Sequence, residues 1–147
     1  KGSRIRDEGL SLRIVRTLLA AVQTEAGVHH KSLLQVVQAI YNIYLNSSSV
    51  NVKQSSRQAL ERISAKVFQA LEQNQQDAAA EKISEVAENG ELDKGRSGED
   101  ETLCFKDAYQ LFKGLCNLSS KELPSSSSTE SMAVKWKLLA LDLLKNV

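Results

Sequence analysis

The chain has 147 residues, 41% of them hydrophobic and 5% aromatic, with 19 Lys and Arg against 18 Asp and Glu. That length holds one domain with a real core, and the net charge of +1 gives no global pull toward nucleic acid or an anionic membrane. No apolar run approaches the roughly 20 residues that a membrane-spanning helix needs.

The opening, Lys1-Gly2-Ser3-Arg4-Ile5-Arg6, is polar; it reads as a fusion remnant or a cut through a longer protein rather than a secretory leader. A helix follows. Leu10, Ile14, Leu18 and Val22 fall on one stripe, flanked by Val15 and Leu19. Asp7 and Glu8 are placed at its start, where the helix dipole favours acids, and Gly27 ends it.

The stretch Val28–Leu45 comes next, VHHKSLLQVVQAIYNIYL. It is apolar on most of its circumference, so it must be covered on more than one side and reads as the inner helix of a stack. Asn46-Ser47-Ser48-Ser49 breaks the chain, and Ser49 or Asn51 can cap the third helix. That helix starts near Val52 and carries the stripe Leu60, Ile63, Val67, Ala70 and Leu71, with Arg57, Glu61, Arg62 and Lys66 outside. Helix starts near Leu10, Leu33 and Val52, with short loops, fit an armadillo/HEAT-like helical solenoid. A plain three-helix bundle is the competing arrangement.

Beyond Leu71 the polar run Gln73-Asn74-Gln75-Gln76 separates off a short helix, Ala78–Val86. Asn89–Asp100 is acidic and interrupted by glycine. It cannot bury enough surface to offset its ordering entropy, so it reads as a disordered linker. Order returns at Leu103–Leu118, where Phe105, Ala108, Phe112 and Leu115 share a face. Lys121–Thr129 holds the single proline, Pro124, and the run Ser125–Ser128. The last helix spans about Ser131–Asn146 and is still strongly apolar as the chain reaches Val147, which fits a cut. The expected organisation is therefore all-α, in three parts: a helical-repeat part at 1–88, a flexible acidic linker at 89–101, and further helices at 102–147.

A search for chemistry finds little. His29 and His30 are adjacent, so on a helix they point about 100° apart, and no third metal ligand accompanies them; they read as a helix-entry turn. Cys104 and Cys116 lie in one helix, about 18 Å apart, beyond disulfide reach; they read as buried thiols of a reducing compartment. The chain has no Gly-x-Ser-x-Gly elbow, phosphate loop or dinucleotide fingerprint. No catalytic, cofactor-binding or metal residue is assigned, and no enzymatic activity is expected. The candidate residues are for protein contact. Tyr41 and Tyr44 are three apart on one helix face, and either pack into the stack or line a partner groove. Asn42, an amide in an apolar helix, needs hydrogen-bond partners or water. Trp136, between Lys135 and Lys137, suits an edge anchor or a packing role.

Three segments carry a family resemblance. Asp7-Glu8-Gly9 with the helix Leu12–Val22, and Ser32–Leu45 ending in Tyr41-Asn42-Ile43-Tyr44-Leu45, resemble the amino-terminal dimerisation and cyclophilin-binding domain of the large Arf guanine-nucleotide exchange factors. The likeness is to the brefeldin A-inhibited group and its fungal late-Golgi counterparts. Phe105–Ser119 resembles the start of the homology-upstream region of the same proteins, and a variable acidic linker separates the two pieces there too. The third helix is only loosely family-like. The family's earlier helices and its exchange domain are absent, so no binding residues are carried across. The resemblance implies a non-catalytic regulatory region, cytoplasmic and peripheral on Golgi or trans-Golgi membranes, with indirect membrane association and a role in vesicle-mediated protein transport. It implies protein partners: a second copy, neighbouring regulatory regions, and Arf or Arf-like small GTPases, with no nucleic acid and no cofactor. The alternatives are an unrelated helical-repeat scaffold and a non-catalytic trafficking relative with the same upstream architecture.

Overall fold

A computed structural model describes residues 2–24, 27–85, 97–120 and 132–145. Within them lie five α-helices and no strand: α1 (Gly2–Gln23), α2 (His30–Asn46), α3 (Val50–Glu85), α4 (Ser97–Ser120) and α5 (Met132–Lys145). The expected all-helical class is what the described residues adopt. Helix α2 touches α1, α3, α4 and α5, so this strongly apolar segment is an inner helix. Leu33, Ile40, Tyr41 and Leu45 are buried in it, and Val36, Val37, Ile43 and Tyr44 pack against the same core.

Helix α3 also touches every other described helix. Its buried face, Val52, Ser56, Ala59, Leu60, Ile63, Ser64 and Val67, mixes large and small side chains. The small ones let neighbouring backbones come close, while Leu60 and Ile63 fill the spaces between them. The third helix does not stop at Leu71; one continuous α3 runs to Glu85, about 54 Å at the helical rise. The Gln73–Gln76 run was expected to break it, but Gln and Glu are good helix formers and neither Gly nor Pro interrupts the stretch.

Other expectations are corrected. Helix α1 turns Val15 and Val22 inward and leaves Leu10 and Ile14 exposed, so its core stripe is rotated from the one expected. It also begins at Gly2, which puts Asp7 and Glu8 more than a turn inside it. Helix α4 buries Asp107, Ala108, Leu111 and Leu115, while Phe105 and Phe112 face solvent. It begins at Ser97, inside the stretch assigned to the linker; residues 89–96 lie outside the described residues. Cys104 and Cys116 are half-buried rather than buried.

Helix α5 lies on α4 and buries Leu139, Ala140 and Leu143. Arg57 of α3 ties it down, with Nε 3.0 Å from Glu61 Oε1 and Nη2 3.3 Å from Asp142 Oδ2. Such exposed pairs add no more than about 1 kcal/mol; the apolar core does most of the holding, at about 1.5–3 kcal/mol for each large side chain fully buried.

One buried group works against the core. The Ser56 hydroxyl is fully enclosed and has no hydrogen-bond partner among the described residues. A buried hydroxyl left in that state costs about 1–3 kcal/mol. Ser56→Ala should therefore raise stability by about 1 kcal/mol, read as a higher urea midpoint with an unchanged slope.

Candidate interaction surface

The joints between helices are built from polar side chains at helix ends. Beyond α1 the chain turns through Gly27, at φ +63. A side chain there would be strained, and its Cβ would lie 2.7 Å from His29 Nε2. The glycine thus makes room for the His29 ring, whose Nδ1 is 2.7 Å from Asp107 Oδ2. The His30 backbone N–H donates to Asp107 Oδ1, also at 2.7 Å. The helix-entry turn at His29–His30 is as expected, but its cap comes from a distant acid: α2 has no capping side chain of its own, and Asp107 on α4 occupies the positive end of its dipole.

Two further joints follow the same rule. Lys66 Nζ donates to the carbonyls of Val22 at 2.6 Å and Thr24 at 3.1 Å, which places a cation at the carbonyl end of α1. At the α2–α3 turn the Ser49 hydroxyl accepts from the Val52 N–H at 3.4 Å and donates to Glu8 Oε1 at 2.8 Å. Asn51 Nδ2 donates to the same carboxylate oxygen at 3.1 Å. Ser49 is thus the expected N-cap, and Glu8 braces the turn from α1.

The sequence-selected residues separate in space. Tyr41 is buried and Tyr44 half-buried, both against the core. Burial pushes the Tyr41 phenol up to about 12; the nearby Tyr44 adds to the rise, and a hydrogen bond with the Ala140 backbone opposes it. Asn42 is exposed and its carbonyl accepts from Asn46 Nδ2 at 2.9 Å. Trp136 lies on α5, but its side chain is outside the described residues.

Asn42 stands between two hollows. On one side is a polar one of about 600 Å³, which includes Asp7, Glu8 and Ser48. On the other is an apolar groove of about 460 Å³ between α2 and α4, walled by Leu34, Val37 and Tyr41 against Leu111, Gly114 and Leu118. A Cβ added at Gly114 would meet nothing within 4 Å. The missing side chain therefore widens the groove rather than permitting a tight helix contact. A third, small cavity of about 110 Å³ is lined by His29, Lys66, Cys104 and Asp107 among others. There Asp107 holds His29 Nδ1, and Nε2 faces Gly27. Among the described residues no cluster of three His, Cys, Asp or Glu side chains is placed to hold a metal ion, and no helix is long and apolar enough to cross a membrane.

Sequence reading missed Asp107, Glu8 and Lys66 as joint residues and Gly114 as a groove residue. The one local signal was an acid at 107 beside the apolar stripe of α4; its partners lie 77 and 78 residues away.

Residues 3–75 match the family model of the Mon2/Sec7/BIG1-like dimerisation and cyclophilin-binding domain, and this part of the chain belongs to that family. Among curated proteins it is similar to the ADP-ribosylation factor guanine nucleotide-exchange factor SEC7 of Saccharomyces cerevisiae, 24% identical over 181 aligned positions that cover 96% of this chain and 9% of SEC7. Brefeldin A-inhibited guanine nucleotide-exchange protein 1 of Arabidopsis thaliana is 27% identical, over 96% of this chain and 11% of that protein. Protein 3 of the same plant is 38% identical over 73 residues, covering 49% of this chain and 4% of its own length. The chain thus spans about a tenth or less of the length of these relatives.

Two measurements check this geometry. Asp107→Ala should cost about 2 kcal/mol in urea denaturation and speed hydrogen exchange at the His30 amide; Asp107→Asn, which keeps an acceptor oxygen, should cost less. The raised Tyr41 pKa means that the folded chain holds the phenolic proton more tightly than the unfolded chain. Its contribution is complete below the ordinary value of 10.0 and is lost as pH rises through about 12. Wild type should lose stability between those values, and Tyr41→Phe should lose less.

Proposed function

We propose that this chain is a non-catalytic regulatory region of a large Arf guanine-nucleotide exchange factor, built as an armadillo/HEAT-like stack, that works by binding other proteins. The observation that carries the reading is the match of residues 3–75 to a domain named for dimerisation and cyclophilin binding, in a chain that aligns almost end to end with exchange factors. Dimerisation and contact with neighbouring regulatory regions are its expected roles, together with recruitment to Golgi membranes through an Arf-family GTPase in its GTP form. The membrane association is then indirect, in a cytoplasmic protein.

The apolar groove beside Asn42 supports this reading. It offers Leu, Val and Tyr walls with an exposed amide at the rim, the arrangement in which buried anchors supply affinity and a few polar groups supply orientation. We assign it to the switch surface of the GTP-loaded GTPase.

The test is direct binding of the purified chain to GTP-loaded and GDP-loaded Arf-family proteins. The GTP form should bind and the GDP form should bind at least tenfold more weakly. Gly114→Trp should fill the groove and reduce that binding at least tenfold without lowering the melting temperature, because the site is open and glycine is a poor helix former. Equal binding of both nucleotide forms, or full binding by a folded Gly114→Trp variant, would remove the GTPase from this reading.

A further inference from the structure

Helix α4 carries a second surface that the groove does not use. Phe105, Tyr109 and Phe112 are exposed, at 57%, 56% and 46%, and the half-buried Cys116 continues their line. Steps of four, three and four residues are those of a heptad seam, the pattern that sets knobs into a facing helix. The surface is ordered before anything binds. The Phe105 and Tyr109 rings lie 6.4 Å apart and nearly parallel, at 9°, and Lys113 Nζ sits 5.8 Å from the centre of the Tyr109 ring. Large aromatic side chains left in water in a row are uncommon unless a partner covers them.

Charge indicates the partner. From Thr102 to Ser120 the charged residues of α4 are Lys106, Asp107 and Lys113. Asp107 is buried in the His29 joint, which leaves the two exposed lysines. They are seven residues apart and so flank the seam on the same side. In an antiparallel pair of copies that overlays the whole ridge, that flank would face itself and set Lys106 against Lys113.

We propose that the Phe105–Tyr109–Phe112 ridge docks an amphipathic helix of another protein whose apolar stripe is flanked by carboxylates. The aromatic rings enter its holes, and Lys106 and Lys113 pair with its acids. None of the ridge residues Phe105, Tyr109 and Phe112 lines the groove, so the proposal stands or falls separately from the GTPase reading.

The probe is a synthetic 21-residue peptide with Leu at heptad positions a and d and Glu at e and g, whose like charges oppose its own pairing. A second peptide carries Lys in place of Glu. Fluorescence anisotropy with the intact chain should show saturable binding of the Glu peptide, at least tenfold tighter than the Lys peptide and weaker as salt is raised. Phe105→Ser with Phe112→Ser should cut binding at least tenfold while the melting curve stays unchanged, both rings being exposed. Lys106→Glu with Lys113→Glu should reverse the preference between the two peptides. No saturable binding, equal binding of both peptides, or binding indifferent to the serine pair overturns the proposal. So does loss of self-association in the serine pair, which would assign the ridge to a second copy, or its loss of binding to phosphatidylserine vesicles, which would assign it to lipid.

Discussion

All the described helices have to share α3. It contacts each of the others, and a helix can accept so many neighbours only if its buried face alternates bulk with space. Ser56, Ala59 and Ser64 supply the space, and Leu60, Ile63 and Val67 the bulk. Close-packed interiors tolerate little change in either. This constraint accounts for a serine hydroxyl enclosed without a partner among the described residues: at position 56 small size matters more to the neighbouring helices than hydrogen-bonding capacity.

The second constraint is that packed helices end inside the protein, where their terminal amides and carbonyls need partners. Helix α3 has a local cap in Ser49, but α2 has no capping side chain of its own. Instead the partners come from other helices: Asp107 for the start of α2, Lys66 for the end of α1, Glu8 for the turn before α3. Each such contact ties two elements at a fixed rotation. Asp107 matters most, because it joins α4 to the α1–α2 turn, and so joins the part of the chain outside the family domain to the part inside it.

This explains what could and could not be read from the residues. The helices, the inner position of α2 and the Ser49 cap are local properties, visible as periodicity and as a capping residue ahead of a helix. The rotation of α4 is not local. Its apolar residues lie on two overlapping stripes, one through Ala108, Leu111 and Leu115 and one through Phe105, Tyr109 and Phe112. Periodicity alone merges them. The contact that selects between them is the pairing of Asp107 with His29, and nothing near either residue in sequence announces it. Aromatic size also misleads: Phe is ordinarily a core residue, so Phe105 and Phe112 were assigned inward. The extent of α3 failed for the opposite reason. A polar run was read as a break, although polarity without glycine or proline ends no helix that has a covered stripe to extend from.

The same architecture shapes what the surface offers a partner. Asp107, His29, Lys66 and Glu8 are engaged at helix ends and hold the stack together. What the described surface then presents is shape and apolar area: a groove widened by a missing side chain at Gly114, and a ridge of rings on the same helix. Groove and ridge differ in what they select. A concave apolar wall with an amide at its rim accepts a projecting side chain and orients it; a convex heptad seam beside two lysines accepts a whole helix and reads its charge. Because both sit on α4, whose rotation Asp107 fixes, a change at the His29 joint would shift both surfaces together.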